Sequence, residues 1–429
     1  MGGAFRSYLA KTLPPAFARL QGAGVIPSPW DEGRHIRLGK AGRGYEERLS
    51  GEYKPVAPLA PYVIPADDAA SAGYLRRFME WDQSTAGLVK FGVLVVQRAK
   101  IWPKFGVHSS APGSFADVYC NLAALANPKY EVPRLALRFL PARKHFKHGV
   151  FLGVAWWHNH YHWMIDVLPR LDLARAELEH GLPVIAPPDL GVPQRTALRT
   201  VLDDMGYSRT EIVQPPHHVC LVDRLVMPTQ MAHPLDMSPR QVAVLRNAFL
   251  KGDPGSGLPK RLYISRADAA IRRVKNEDAL LSVLEPLGFV SVQLAKLTLA
   301  DQVSLFRQAE CIIGHHGAGF TNVAFCSPAA TLIEIFQEGH FAGCFTRLAQ
   351  LGRLRYGYCV GTAEGADTIV SVPAVMSLCR HFGSTRHDTS SRTVAAVPEG
   401  CRPRLKTWNN ARDVALCHRM ASNACWQTP

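Results

Sequence analysis

The segment 311–322 combines an apolar run, three glycines and two histidines, residue types that could bind an anion. The apolar run reads as a buried strand, and a helix start follows the glycines. Glycine lets a backbone turn sharply and approach a ligand closely, while the amides of a helix start favour negative charge. The pattern predicts a phosphate-binding loop, with a tight packing turn as the alternative. The loop residues are His315, His316, Gly317, Ala318 and Gly319.

A second cluster places a histidine and a carboxylate four residues apart, behind a good helix N-cap. If Asn159 caps a helix, His162 and Asp166 lie on one face of it. The carboxylate can then hold the imidazole in one tautomer, and a neutral histidine is a good general base for a hydroxyl. Arg170 lies one turn further on and could bind an anionic group. The alternative is that the histidine and the carboxylate only cap the helix beside packed aromatic side chains and have no catalytic role.

The same cluster also allows a metal site. His158, His160 and His162 alternate, so on a strand they would share one face and could bind a metal together with Asp166. That arrangement would suit a metal-dependent hydrolase. The helical pattern that follows favours aromatic packing instead.

A basic run and a carboxylate also fall near the ends of predicted strands. Arg266 and Arg273 belong to the basic run, and arginine forks suit the oxygens of a diphosphate. Glu334 closes an apolar strand, where it could accept hydrogen bonds from ribose hydroxyls. The alternative for the basic run is a solvated loop face. The alternative for Glu334 is a buried structural residue.

The composition describes a globular protein with a strong positive field. The chain has 429 residues, 47% hydrophobic and 20% charged, with a formal charge of +14. It can therefore form two or three domains, and it should attract phosphates or anionic lipid. We find no nucleic-acid motif and expect no nucleic-acid partner. Ten cysteines without a CxxC pair or a secretion signal indicate a cytoplasmic protein, and residues 5–20 could form an amphipathic helix at a membrane surface.

The elements that must position these residues form an α/β pattern. Residues 261–336 predict a βαβαβαβ unit, hence a parallel sheet that binds ligands at the carboxyl ends of its strands. A weaker α/β stretch covers about 159–228, preceded by a β-rich part from 87. The predicted organisation is an irregular extension at 1–60, an N-terminal α/β domain at 61–240, a Rossmann-like domain at 241–375 and a tail at 376–429. Within that tail we expect a last helix near 412–422.

Taken together, these motifs resemble glycosyltransferase family 61. The family pattern Asn-x-x-His-Trp-x-x-Asp-x-Leu-Pro-Arg-Leu matches residues 159–171. The pattern His-Gly-Ala-Gly-Leu-Thr-Asn matches residues 316–322, with Phe320 in place of leucine. Further segments with family character occur in the same order, at 263–266, 273–277, Gln302 and 332–335.

The resemblance implies a GT-B-like fold of two Rossmann-like domains facing a cleft. It also implies an inverting, metal-independent glycosyltransferase without a cofactor. The donor would be a nucleotide-sugar, expected to be UDP-linked, and the acceptor a glycan or lipid-linked hydroxyl in surface or capsular polysaccharide synthesis near the membrane. A non-catalytic sugar-nucleotide-binding protein is the alternative from another class. By analogy, His162 and Asp166 would be catalytic, and Asn159 and Arg170 would contact the acceptor or an anion. The donor would be held by Arg266, Arg273, Asn276, His315, His316, Gly317, Ala318, Gly319, Asn322 and Glu334.

Overall fold

The computed structural model describes residues 36–38, 45–54, 63–81, 88–102, 106–109, 116–118, 140–153, 157–215, 217–232 and 235–384. These residues fall into two compact units. The first holds the described residues up to 54, those between 87 and 234, and residues 243–248. The second holds those between 55 and 86, residues 235–242, and those from 249 onward.

The regular elements within these ranges alternate between strands and short helices. The strands are β1 (Ile36–Leu38), β2 (Tyr45–Tyr53), β3 (Val63–Pro65), β4 (Val89–Trp102), β5 (Gly106–Ser109), β6 (Ala116–Val118), β7 (Lys144–Phe151), β8 (Val184–Ile185), β9 (Ile212–Val213), β10 (Cys220–Pro228), β11 (Arg261–Ile264), β12 (Phe289–Val292), β13 (Cys311–His315), β14 (Thr331–Gln337), β15 (Arg355–Glu364) and β16 (Asp367–Ile369). The α-helices are α1 (Ala69–Trp81), α2 (Arg175–Glu179), α3 (Val192–Asp204), α4 (Pro239–Phe249), α5 (Glu277–Leu284), α6 (Leu299–Gln308), α7 (Cys344–Leu351) and α8 (Val372–Ser384). A π-helix covers His162–Val167, and 3₁₀ turns cover Leu168–Ala174, Glu285–Leu287, Leu294–Lys296 and Ala318–Phe325.

The sheet of the first unit has the strand order β1-β6-β5-β4-β10-β7-β8-β9, and β2 also pairs with β4. Its pairs are antiparallel as far as β4–β10, and β10, β7, β8 and β9 run parallel. The long strand β4 is buried over Phe91–Val96, which explains its continuous apolar run. The predicted β-rich part from 87 and the α/β stretch to 228 are confirmed.

The sheet of the second unit has the order β12-β11-β13-β14-β15-β16, and β3 also pairs with β15. All of these pairs are parallel except β15–β16. Strand β14 is buried at each of its residues, as expected for a strand covered on both faces. Gly288 adopts a left-handed φ of 81° and ends the α5 region. The mixed α/β fold with a parallel, Rossmann-like sheet is therefore confirmed for this unit.

Elements of the structure also lie in the predicted N-terminal extension, in the first predicted domain and in the predicted tail. Residues 1–60 include β1 and β2, because the backbone ladder to β4 holds β2 in place although its sequence is polar. Residues 63–81 pack with the second unit, since β3 pairs with β15. The pattern was expected to fade after Val375, but α8 continues to Ser384 because Leu378 and Phe382 are buried in the core of this unit. The remaining tail with its predicted helix near 412–422, and the predicted helix at 5–20, lie outside the described residues.

No helix within the described ranges is both long and apolar enough to cross a membrane. Residues 311–333, which carry no charged side chain, instead form β13, a 3₁₀ turn and the start of β14.

Candidate functional site

The glycine loop lies where β13 ends, at the carboxyl edge of the second sheet. The chain leaves His315, passes through Gly317 and enters the 3₁₀ turn Ala318–Phe325, where the amide of Phe320 donates to the carbonyl of Gly317 at 2.9 Å. Within the described part of the chain, no group accepts a hydrogen bond from the amides of Gly317, Ala318 or Gly319. Such amides at the start of a helical turn are suited to an anion.

Arg266 packs directly against this loop. Its Nε donates to the carbonyl of Arg272 and its Nη2 to that of Ile271, both at 3.2 Å. These bonds hold Nη1 so close to Gly317 that a Cβ atom at this position would overlap it. Glycine is therefore needed here for the close approach of a guanidinium, because the backbone itself is extended at Gly317.

A cavity of about 130 Å³ opens beside the loop. It lies at the carboxyl ends of β11, β12 and β13, which is where open parallel sheets bind their ligands. Cationic and polar groups form one part of its lining and apolar side chains form another. The lining residues are Ile264, Ser265, Arg266, Asp268, Leu294, Ala295, His315, Gly317, Gly319 and Phe320.

His315 is a buried, neutral member of that lining. Its Nε2 lies 2.8 Å from the hydroxyl of Thr368. Burial holds the pKa of His315 well below its usual range, and the positive charges of Arg266 and Arg272 act in the same direction. The imidazole thus adds polarity to the cavity without adding charge.

His316 and Glu334 form a buried pair behind the loop. Nδ1 of His316 lies 2.5 Å from Oε1 of Glu334, and the hydroxyl of Tyr356 donates to Oε2 at 2.7 Å. Glu334 is fully buried, so its carboxyl group cannot reach a ligand. This burial favours the structural alternative over the predicted ribose contact. The ring of His316 packs against Phe336 and Phe345, so this side chain supports the loop from behind instead of contacting the donor.

Burial also sets the charge of this pair. It raises the pKa of Glu334 to about 8, against the hydrogen bond from Tyr356, which lowers it. Burial first, and then Arg272 and Arg266, lower the pKa of His316 well below its usual range. The pair therefore carries no net charge at neutral pH, and the two arginines dominate the field at the loop.

Arg272 is a second guanidinium near the loop, and the donor set inferred from sequence did not include it. Its Nη1 donates to Nε2 of His340 at 3.0 Å. Burial, followed by His316 and the two arginines, lowers the pKa of His340 to about 2, so His340 stays a neutral acceptor. The basic run pointed to Arg272, whereas nothing in the sequence marked His340.

Two predicted donor-binding residues, Arg273 and Asn276, make structural contacts within the second unit. Arg273 forms an ion pair with Asp367, with Nη2 2.8 Å from Oδ2. This hydrogen-bonded pairing also lowers the pKa of Asp367. The amide group of Asn276 donates to the carbonyl of Val370 at 2.8 Å and accepts from its N–H at 2.9 Å. Both contacts join the segment after β11 to β16 and its following turn, and the donor contacts of Arg273 and Asn276 stay predictions.

Asn322 also has a supporting role. It is fully buried, and its Nδ2 donates to Oε1 of Gln302 at 2.7 Å. Nε2 of Gln302 in turn donates to the carbonyl of Leu294 at 2.9 Å. Asn322 therefore connects the 3₁₀ turn to α6 and to the cavity wall, and its contact with the donor stays a prediction.

The predicted His–Asp pair is present in the first unit. Oδ1 of Asn159 accepts from the amide of Tyr161 at 2.9 Å and so caps the helical segment, as predicted. Nδ1 of His162 lies 2.5 Å from Oδ2 of Asp166. With Nδ1 held by the carboxylate, the lone pair of Nε2 is the basic site of the ring. The histidine is buried, and the side chain of Asp166 is 17% exposed. The pair thus consists of a histidine that could act as a general base and a carboxylate that orients it.

Two further predictions were made for this cluster: an anion contact of Arg170 and a metal site formed by alternating histidines. Arg170 is buried, and its Nη2 donates to the carbonyl of Phe151 at 3.3 Å, while its contact with an acceptor or anion stays a prediction. Residues from 160 onward are helical, so the alternating histidines do not share a strand face. Among the described residues, no group of three or more His, Cys, Asp or Glu side chains could hold a metal ion. The metal-dependent hydrolase is therefore not favoured.

Comparison with known proteins finds a family match for the core segment. The model of the family described as Glycosyltransferase 61 matches residues 160–333. Residues 160–333 are therefore similar to a glycosyltransferase 61 domain. This range contains His162, Asp166, Arg266 and the glycine loop.

Two curated relatives match shorter parts of the chain. An EGF domain-specific O-linked N-acetylglucosamine transferase of Drosophila melanogaster is 34% identical over 97 residues, which cover 22% of this chain and 18% of the relative. A beta-1,2-xylosyltransferase of Arabidopsis thaliana is 39% identical over 59 residues, covering 13% of this chain and 11% of the relative. The chain thus spans less than a fifth of the length of these glycosyltransferases.

Proposed function

We propose that this protein is an inverting glycosyltransferase that moves a sugar from a nucleotide-sugar to a hydroxyl group of its acceptor. One observation carries the donor half of the proposal: the guanidinium of Arg266 is held against the glycine loop at the carboxyl edge of a parallel sheet. The match of residues 160–333 to the Glycosyltransferase 61 model supports the reaction class. Both relatives, by their names, transfer sugars.

The donor site would recognise the diphosphate through charge and amide hydrogens together. Arg266 supplies a guanidinium that is positioned by the bonds of its Nε and Nη2 to backbone carbonyls and whose Nη1 lies against Gly317. The amides of Gly317, Ala318 and Gly319 supply N–H donors, and Arg272 adds a second positive charge nearby. Charge-assisted hydrogen bonds of this kind are roughly twice as strong as neutral ones. The departing nucleoside diphosphate would be stabilised by the same groups, because negative charge grows on it as the glycosidic bond breaks.

His162 would act as the general base in this proposal. Its Nε2 would take the proton of the acceptor hydroxyl while the hydroxyl oxygen forms a bond to the anomeric carbon of the sugar. The bond from that carbon to the diphosphate oxygen breaks, and the nucleoside diphosphate leaves with the electron pair. Asp166 would hold the ring in the required tautomer and stabilise the imidazolium that forms.

The finer parts of the proposal rest on the family resemblance and on the charge of the chain. They are a GT-B arrangement, a UDP-linked donor, catalysis without a metal, and a glycan or lipid-linked acceptor in capsular or other surface polysaccharide synthesis. A formal charge of +14 is consistent with work at an anionic membrane surface on the cytoplasmic side.

A thermal-shift screen tests the donor half with few assumptions. UDP-, GDP- and CDP-linked sugars are added to the purified chain with and without a chelator, since a ligand that binds the native state raises the melting temperature. We expect one nucleotide class to raise it, equally well with chelator, and Arg266→Ala to abolish most of the shift. If no nucleotide stabilises the protein, the donor site is wrong.

A further inference from the structure

Among the described residues that line the cavity beside the glycine loop, Asp268 supplies the only carboxylate. It lies in a turn directly after β11, where the amide of Ala269 donates to the carbonyl of Arg266 at 2.9 Å. The hydroxyl of Ser265 accepts from the amide of Ala267 at 3.2 Å and donates to Glu277 at 3.2 Å. The turn is thus fixed at both ends, and it holds Asp268 in a defined place at the cavity.

The carboxylate of Asp268 is available to a ligand. The residue is exposed, and it makes no hydrogen bond or ion pair with any residue that the structure describes. Glu334 was the carboxylate expected at this edge from the sequence, yet it is fully buried and both of its oxygens are engaged. Asp268 is therefore the carboxylate that a molecule in the cavity would meet.

The charge of Asp268 restricts what it can contact. An ionised carboxylate only accepts hydrogen bonds, and it repels phosphate oxygens. In a cavity whose other ionic group is the cationic Arg266, the carboxylate must face a hydrogen-bond donor that carries no negative charge. The hydroxyl groups of a sugar ring are donors of this kind, and two neighbouring hydroxyls can bond the two carboxylate oxygens.

We propose that Asp268 accepts hydrogen bonds from the ribose hydroxyls of the nucleotide donor and so selects ribonucleotides over deoxyribonucleotides. The inference rests on the proposed function, because it requires the diphosphate to lie at the glycine loop. Strands β11 and β13 are direct neighbours, so their carboxyl ends lie about 4.8 Å apart. A phosphate at the end of β13 would thus place its ribose near the turn after β11, which is the relationship that nucleotide-binding parallel sheets commonly use. Leu294 and Phe320 supply apolar surface in the same cavity for the flat face of a base.

Calorimetric titration of the full chain tests this assignment. The titrants are the tightest-binding of UDP, GDP and CDP, its 2′-deoxy counterpart and inorganic pyrophosphate. We expect the wild-type protein to bind the ribonucleotide about tenfold more tightly than the deoxyribonucleotide, the effect of one hydrogen bond to a charged group. Asp268→Asn and Asp268→Ala should remove this preference by weakening ribonucleotide binding alone. Pyrophosphate should bind both variants as well as the wild type or better, because a repulsive charge has been removed.

Asp278→Asn serves as the matched control, since Asp278 is an exposed carboxylate on α5 that does not line the cavity. A wild-type protein that binds ribo- and deoxyribonucleotides equally would overturn the inference. So would Asp268 variants that weaken nucleotide and pyrophosphate alike, or that lose turnover while binding nucleotide normally. If the wild type binds none of the nucleotides and no pyrophosphate, the proposed function fails and takes the inference with it.

Discussion

Nδ1 of His316 and Oε1 of Glu334 lie 2.5 Å apart in a fully buried pair behind the glycine loop. His316 lies in the turn after β13 and Glu334 in β14, and the register of these parallel strands brings the two residues together. Because the pair is neutral and its ring is packed between aromatic side chains, it can hold the loop without competing for its anion.

This relationship predicts how Glu334 contributes to stability as the pH changes. Its pKa is raised from 4.5 to about 8 in the folded state, so between these values the native protein holds a proton that the unfolded chain has lost. The free energy of unfolding should therefore decrease with pH across this window. The contribution is fully present below pH 4.5 and is lost as the pH rises through 8. Urea unfolding of the wild type and of Glu334→Gln at several pH values measures this contribution. A free energy of unfolding of the wild type that rises with pH relative to that of Glu334→Gln would contradict the account.

Gly317→Ala should weaken nucleotide binding with little effect on folding. The added Cβ would overlap Nη1 of Arg266, and the guanidinium is the mobile partner that must give way. We expect about tenfold weaker binding of a nucleoside diphosphate by calorimetry. Gly73→Ala is the control, because a Cβ at that exposed position of α1 meets nothing within 4 Å and alanine favours a helix. Normal nucleotide binding by Gly317→Ala would show that Arg266 does not act through this contact.

Arg272→Ala and Arg273→Ala should differ although the residues are neighbours. Arg272 is held by His340 near the loop, whereas Arg273 is held by Asp367 at the protein surface. We expect Arg272→Ala to weaken pyrophosphate binding about tenfold and Arg273→Ala to leave it unchanged. The second variant should show only a small loss of thermal stability, because a half-exposed ion pair is screened by solvent. The reverse ranking in a pyrophosphate titration would restore the sequence-based assignment.

His162→Ala should lower turnover roughly 100-fold or more and keep nucleotide affinity. Asp166→Asn should reduce turnover by less, since it keeps the contact at Nδ1 but removes the charge that stabilises the imidazolium. The readout is kcat against pH together with the Kd of the nucleotide. His145→Ala is the control, because His145 is an exposed histidine of the same unit paired with Asp223. A near-normal rate for His162→Ala at every pH would remove His162 as the base.

The sequence predicted the elements of the second unit well, because its apolar runs and Gly288 are local signals. It also predicted the His162–Asp166 contact, which spans four residues. The side-chain partners of Arg273 could not be foreseen, since Asp367 lies 94 residues away and is brought close only by sheet register. For the same reason the sequence alone could not show that Glu334, a carboxylate at a strand end, is buried. The availability of Asp268, as opposed to Glu334, became visible only in the folded chain.

The affinity of a nucleoside diphosphate for the wild type and for Arg266→Ala tests the central claim most directly. Arg380→Ala is the control, because Arg380 is exposed and lines a different cavity of the same unit. We predict that calorimetry detects saturable binding of one of UDP, GDP or CDP to the wild type and to Arg380→Ala, and binding at least tenfold weaker to Arg266→Ala. Equal affinities in all three proteins, or no binding to any of them, would contradict a donor site at the glycine loop.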